Sequence, residues 1–349
     1  MSDRTSDSRA WDILVGMAAF VVIVAGLKAA ASLMVPFLTA AFLAVICSPP
    51  LQWCRRKGLS APLSFVAVAA AATVILFVVV TVVGASVRDF AGNIDHYETQ
   101  LGERKVELLQ WIEARGITVP ADLQNQNTDP QRAMRFFGGV MSSLAGLLSN
   151  AFLVLLTLVF ILLEVAGFSQ KLVAISGGKQ ERLARAERIV SAVNHYVSIK
   201  TWMSLLTGVV ITLWLWFLNV DYAVLWGLMA FLFNFVPNIG SIIAAVPAVL
   251  LALIDPGPVA AFYAACGYLV VNVIIGNVIE PRVMGKGLGL STLVVFLSLV
   301  FWGWVFGPVG MLLSVPLTMI VKIVLEEHTE TNWIAVLLGT EPEDIASSS

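Results

Sequence analysis

Five apolar runs, at about 12 to 34, 36 to 54, 61 to 87, 144 to 168 and 201 to 218, constrain this chain more than any other feature. Each is long enough, as a helix, to cross a hydrocarbon core of about 30 Å, which takes roughly 20 residues. Backbone N–H and C=O groups find no water inside a bilayer, so only helices or closed barrels cross it. Barrel strands alternate polar and apolar residues, and these runs do not. The chain reads as an all-α polytopic membrane protein. Only 13% of its residues are charged, about half the share usual in a soluble domain.

Charge orients the spans. Arg55, Arg56 and Lys57 form the densest positive cluster, between the second and third runs, and positive loops stay in the cytoplasm. The N-terminus is then cytoplasmic too. The first run reads as a retained anchor rather than a cleaved signal, because Arg4 and Arg9 are offset by Asp3, Asp7 and Asp12. Pro36 is expected to begin the second helix. Residues 88 to 143 fall outside, where Leu101, Leu108, Trp111 and Ile112 recur at helical spacing before the breaker-rich "GITVPADLQNQNTDP", and a helical cap or a solvated linker is expected. Segment 169 to 200 returns inside with six Lys and Arg against two acids. In it Leu183, Ala186, Val190, Val193 and Val197 make an apolar stripe on a basic helix. The expected organisation is N-terminal membrane helices (1–87), the outer segment (88–143), membrane helices with the basic segment (144–218), a C-terminal core with broken segments (219–327) and a cytoplasmic tail (328–349).

Residues 222 to 254 and 291 to 325 pose a different problem, since each would make a straight helix of about 50 Å at 1.5 Å per residue. Both are interrupted near the middle, by "FVPNIGSIIAAVP" at 235 to 247 and "VFGPVGMLLSVP" at 305 to 316. Pro237, Gly240 and Pro247 correspond to Pro308, Gly310 and Pro316, a weak internal repeat. With the helix at 259 to 280 added to the five runs, two architectures fit: six full spans with two re-entrant hairpins, or eight spans with two long kinked helices. Hairpins place Arg282 and Lys286 inside, as the charge rule prefers. Their tips would then approach one another near mid-membrane. Both architectures leave the C-terminus cytoplasmic.

Several function classes fall away. "NVIEPRVMGKGLGL", at 277 to 290, offers glycines beside a lysine, but Gly287 stands where a P-loop needs Ser or Thr, and Glu280 where it needs the first Gly. No HExxH occurs, and no Ser, His and acid fall together in the apolar runs. Cys47, Cys54 and Cys266 have no metal-ligand or paired spacing. The net charge of −2 is not that of a nucleic-acid binder. The reading is not an enzyme, with no cofactor and no metal; its partners are the lipid bilayer and a small-molecule or ion substrate, with homo-oligomers left open.

Polar groups inside apolar runs are expensive and mark transport pathways. Asn272, Gly276 and Glu280 recur every four residues, with Asn277 beside them, so one helix face can present two amides and a carboxylate. Glu280 is the first candidate for a protonatable or cation-binding group; the plainer reading is a helix-end carboxylate paired with Arg282 or Lys286. Asn234, Asn238 and Ser241 cluster around the Pro237 to Gly240 break, and Gly307, Pro308 and Gly310 mark the second break. Discontinuous helices in corresponding positions are the best sequence pointer to a transporter's binding site. Glu164 and Lys28 read as interfacial, and Trp214, Trp216, Trp302 and Trp304 as anchors or packing rather than a ligand cage. His195 and His328 lie in polar or interfacial segments and take no role.

"NFVPNIGSIIAAVPAVLLAL" and "NVIEPRVMGKGLGLSTLVVFLSLVFWGWVFGPVGMLLSVPLTMIVKIV" resemble the two signature segments of the autoinducer-2 exporter family of bacterial membrane transporters. The likeness runs the length of the chain: PxxG followed by AVP, then IEPRxMGK, then LLSVPL. It implies a secondary transporter of the bacterial inner membrane, exporting a small polar metabolite or signal such as autoinducer-2 with ion coupling. The alternative it leaves open is a monovalent cation/proton antiporter. Leu290-Ser291-Thr292 departs from the family's Leu-His-Pro.

Overall fold

The computed structural model describes residues 3–115, 135, 137–139, 141–142, 150–175, 180–237, 239–284, 289–326 and 331–339. Every regular element among them is a helix. In order these are α1 (Asp3–Ala29), α2 (Ala31–Arg56), α3 (Ala61–Gly92), α4 (Ile94–Glu113), α5 (Ala151–Ile175), α6 (Gln180–Phe217), α7 (Ala223–Phe233) and α8 (Gly240–Ile254). Then come α9 (Pro258–Val271), a π-helical stretch (Asn272–Ile279), α10 (Glu280–Met284), α11 (Thr292–Glu326) and α12 (Asn332–Leu338). Large apolar side chains point outward along most of the long helices, among them Phe20, Val66, Phe77, Phe160, Leu213 and Phe262. Such a surface suits lipid, and this is an all-α membrane protein.

The second helix begins five residues before Pro36, at a turn on Ala30 where Ala30 N–H reaches Gly26 O and Met34 N–H reaches Ala30 O. Pro36, Pro49 and Pro50 all lie inside α2. Each removes one backbone donor, but breaking the helix would strand several more groups in lipid. The basic segment joins the fifth apolar run without a break, making α6 a 38-residue helix, about 57 Å long. On its stripe Val190 is exposed while Val193 and Val197 are buried.

Both long apolar stretches fold back on themselves. The first is α7 and α8, 11 and 15 residues, with turn residues described at 234–237 and 239 between them. Gly240 N–H bonds to Val236 O, and a Cβ at Gly240 would stand 1.8 Å from Phe233 O, so only glycine lets the second arm start against the end of the first. In the second stretch Gly307 leaves the helix with φ 68°. Trp302 Nε1 donates to Thr318 Oγ1 at 3.0 Å, although the two would lie about 24 Å apart in a straight helix. Gly310 meets Trp302 O as Gly240 meets Phe233 O, with 1.9 Å to a built Cβ. The repeat in the sequence is thus a repeat in tip geometry.

The two tips have different surroundings. The first leans on α6, where Asn234 Nδ2 donates to Ser204 Oγ at 2.9 Å. The second enters a cluster of Val305 and Phe306 with Val24, Leu27, Ala31, Met34, Val35 and Leu38 of α1 and α2. Against expectation, then, the second tip packs beside the α1–α2 turn, because its aromatic flanks bury more area there than at a polar tip.

Helix α4 caps one end of the molecule. Tyr97, 1% exposed, donates to Asp221 Oδ2 at 2.8 Å in the α6–α7 turn, and Tyr222 donates to Asp89 Oδ2 at 2.9 Å. Arg104 Nη2 donates to Pro256 O in the α8–α9 turn. One helix therefore ties down both turns at the base of the first hairpin. The breaker-rich stretch after it, the side chains of Leu108, Trp111, Ile112, Leu183 and Ala186, and the C-terminal tail beyond 339 lie outside the described residues.

Candidate functional site

Three elements meet around a cavity of about 260 Å³: the tip of the first hairpin, the middle of α6, and the π-helical stretch with the start of α10. Its polar lining is Tyr196, Lys200, Asn234, Ser241, Asn272, Asn277 and Glu280. Val236, Pro237, Gly276 and Met284 complete it, with Val295 and Val315 from the two arms of the second hairpin. Asn277 is exposed at its mouth.

The π winding decides which side chains face inward. Hydrogen bonds in this stretch run from residue i to i−5, as Glu280 N–H to Ile275 O shows. Residues four and five apart then share a face, so Asn272, Gly276 and Asn277 all reach the cavity, where an α-helix at about 100° per residue would turn Asn277 roughly 140° away from Asn272. The helix also continues through Pro281 to Met284 instead of ending there. Pro lacks the N–H and its ring crowds the preceding turn; the wider π turn just before it accommodates the ring.

At the centre, Lys200 Nζ stands 2.5 Å from Glu280 Oε1, the side chains 7% and 13% exposed. Arg282 points to the surface. Glu280 therefore pairs across the cavity with a lysine 80 positions away rather than with Arg282, and Lys286 lies outside the described residues. Buried charges persist when paired, and this pair gives a polar chamber no formal net charge among the described lining residues.

Of the residues singled out in the sequence, Asn234, Pro237, Ser241, Asn272, Asn277 and Glu280 come together here. Gly240 lies just behind as the hinge of the tip, and Asn238 lies outside the described residues. Gly307, Pro308 and Gly310 are at the other tip, away from this cavity. Glu164 is exposed, and Lys28 sits 3.5 Å over the Trp304 ring. Trp214 packs against Gly267 and donates to Tyr263 O, which is packing rather than a cage. Sequence reasoning missed Lys200 and Tyr196. The signal for Lys200 was its place at the very start of an apolar run, which makes it an intramembrane ionisable group as well as the last cation of a basic segment.

A sequence profile described as AI-2E family transporter matches residues 17–330. The AI-2 transport protein TqsA of Escherichia coli strain K12 is 39% identical over 327 residues, 94% of each chain. A Haemophilus influenzae protein is 39% identical over 332 residues, 93% of this chain and 95% of its own. YhhT of Escherichia coli strain K12 is 36% identical over 339 residues, 97% of each chain.

Proposed function

We propose that this chain, which belongs to the AI-2E family of transporters, is a secondary transporter that exports a small polar metabolite or signal such as AI-2 across the bacterial inner membrane, with ion coupling. The family and the relatives above are transport proteins, not enzymes. The observation that carries the reading is the cavity between a broken hairpin and a π-helical segment, lined by amides and hydroxyls around a buried ion pair. Its volume of about 260 Å³ falls just under the 300–1,000 Å³ of sites for drug-sized ligands, which suits a small solute. Amides and hydroxyls can both donate to and accept from a hydroxylated molecule.

In this reading the capped end, with α4 over the hairpin base, faces outward. The first hairpin enters from that side and the second from the cytoplasm, and the N- and C-termini are cytoplasmic. Such oppositely directed elements let one half of a transporter rock against the other. One observation favours a second reading, monovalent cation/proton antiport: the Glu280 carboxylate lies in the interior, where an antiporter needs it. Vesicles reconstituted with the purified protein separate the two. Movement of AI-2 that responds to an imposed pH or Na⁺ gradient supports the first; Na⁺ movement driven by a pH gradient, with AI-2 left where it was, replaces it by the second.

A further inference from the structure

The pairing of Lys200 with Glu280 assigns a role to the lysine as well as to the acid. We propose that Lys200 is a tethered competitor for a monovalent cation: its ammonium occupies the place on Glu280 that a free cation takes during the transport cycle, so that pairing and cation binding exclude one another. This rests on reading the cavity as the transport site.

The argument starts from charge. Among the described lining residues the ionisable groups are Tyr196 and Lys200 from α6 and Glu280 from the opposite side, while the hairpins contribute Asn234, Ser241, Val295 and Val315. A carboxylate 13% exposed is strongly destabilising when left without a counter-charge. Whatever draws Lys200 away must therefore leave a positive charge behind on Glu280. A hard cation finds further oxygen ligands close by, in the side-chain carbonyls of Asn272 and Asn277 and the hydroxyl of Ser241, all lining the same space. A proton on Glu280 would neutralise it equally well.

The lysine is well placed to leave and return. Its long flexible stem extends from the middle of a helix, and Ser204, one turn further along α6, already takes part in a polar contact with Asn234 at the hairpin tip. The lysine, 7% exposed, is itself destabilised when it loses its partner, so the oxygen ligands gained by the incoming cation must offset that loss. A bidentate arginine would hold the carboxylate more firmly. While a free cation is bound, the displaced ammonium raises the local potential and hastens the ion's departure, which resets the site.

The test reads binding rather than flux, so it can fail independently of the transport reading. Purified parent, Lys200→Gln, Glu280→Gln and the double variant are unfolded thermally in NaCl or choline chloride at one ionic strength, each over a range of pH. Lys200→Gln should become strongly stabilised by Na⁺, or by lowered pH if the competitor is a proton. Half-saturation should come at a concentration at least about tenfold below that of the parent, the factor expected if pairing leaves the carboxylate open less than a tenth of the time. Glu280→Gln and the double variant should show neither response. The inference is overturned if Lys200→Gln folds without responding to Na⁺ or pH, if the response survives in the double variant, or if Lys200→Gln fails to fold in every condition while the double variant folds.

Discussion

Replacing Gly310 by Ala distinguishes a folded-back second hairpin from a long kinked helix by the sign of one stability change. In the hairpin the new Cβ would lie 1.9 Å from Trp302 O, whereas carbon and oxygen ordinarily approach no closer than about 3.3 Å. The two arms must part by more than 1 Å, against Phe306 and Val305, which are buried beside α1 and α2. Overpacking of this kind costs about 1–3 kcal/mol. Parting the arms also strains the Trp302–Thr318 hydrogen bond, which adds about 1 kcal/mol. The expected loss is about 2–4 kcal/mol. In an uninterrupted helix the same substitution would instead stabilise by up to about 1 kcal/mol, because Ala is the better helix former. Gly84→Ala on α3, where a Cβ meets nothing within 4 Å, supplies that reference. Denaturant or thermal unfolding of the purified variants in detergent reads the difference. A Gly310→Ala protein as stable as Gly84→Ala would refute the hairpin.

Glu280→Gln should abolish gradient-driven flux in vesicles while protein remains in the membrane, and Glu164→Gln should change it by less than about twofold; near-normal flux in both variants would return Glu280 to a structural role. At the cap, burial pushes the Tyr97 hydroxyl far above its usual range, with its bonds to Tyr222 and Asp221 adding to the rise, and burial raises Tyr222 as well. An unfolded chain loses these protons near pH 10 while the folded cap keeps them, so their contribution is whole below about pH 10 and lost as pH rises beyond it. Tyr97→Phe should therefore cost about 1–3 kcal/mol at neutral pH and flatten the alkaline fall in stability; an unchanged alkaline limb would contradict this. A cysteine at Lys57 should react with impermeant reagents only from the cytoplasm and one at Glu103 only from outside, and reaction of both from one side would undo the course of α3 through the bilayer.

The spans were legible because length and hydropathy are local properties, and lipid enforces them strictly. The amides of the cavity were legible for the same reason, as polar residues out of place in apolar runs. Two features were not. Lys200 follows five other cations in a segment read as a basic cytoplasmic helix, and its partner is 80 residues away, so no local pattern joins them. The π winding of Asn272–Ile279 leaves no period of its own in so short a stretch. Spacing by four suggested a face with Asn272, Gly276 and Glu280 and set Asn277 beside it; the wider turn supplies the physical reason that Asn277 shares that face. Pro36 misled in the opposite direction, because a missing donor is cheaper in lipid than a broken helix.

The internal repeat shows how far such patterns reach. Pro237–Gly240 and Pro308–Gly310 build similar tips, each with a glycine set against a carbonyl in the last turn of the preceding arm. The breaker residues therefore specify the turn and nothing about what it meets. The flanking side chains differ: Asn234 and Ser241 at the first tip, Phe306 and Met311 at the second. Polar flanks cannot be buried in an apolar cluster without partners, and they find them in Ser204 and the chamber around Lys200 and Glu280. Aromatic flanks gain by leaving polar surroundings, and Trp302 stacks on Phe306 beside α1 and α2. Two hairpins of one design thus part company on a few side chains, one forming the wall of a polar cavity and the other a packed wedge whose arms, through Val295 and Val315, close the far side of it.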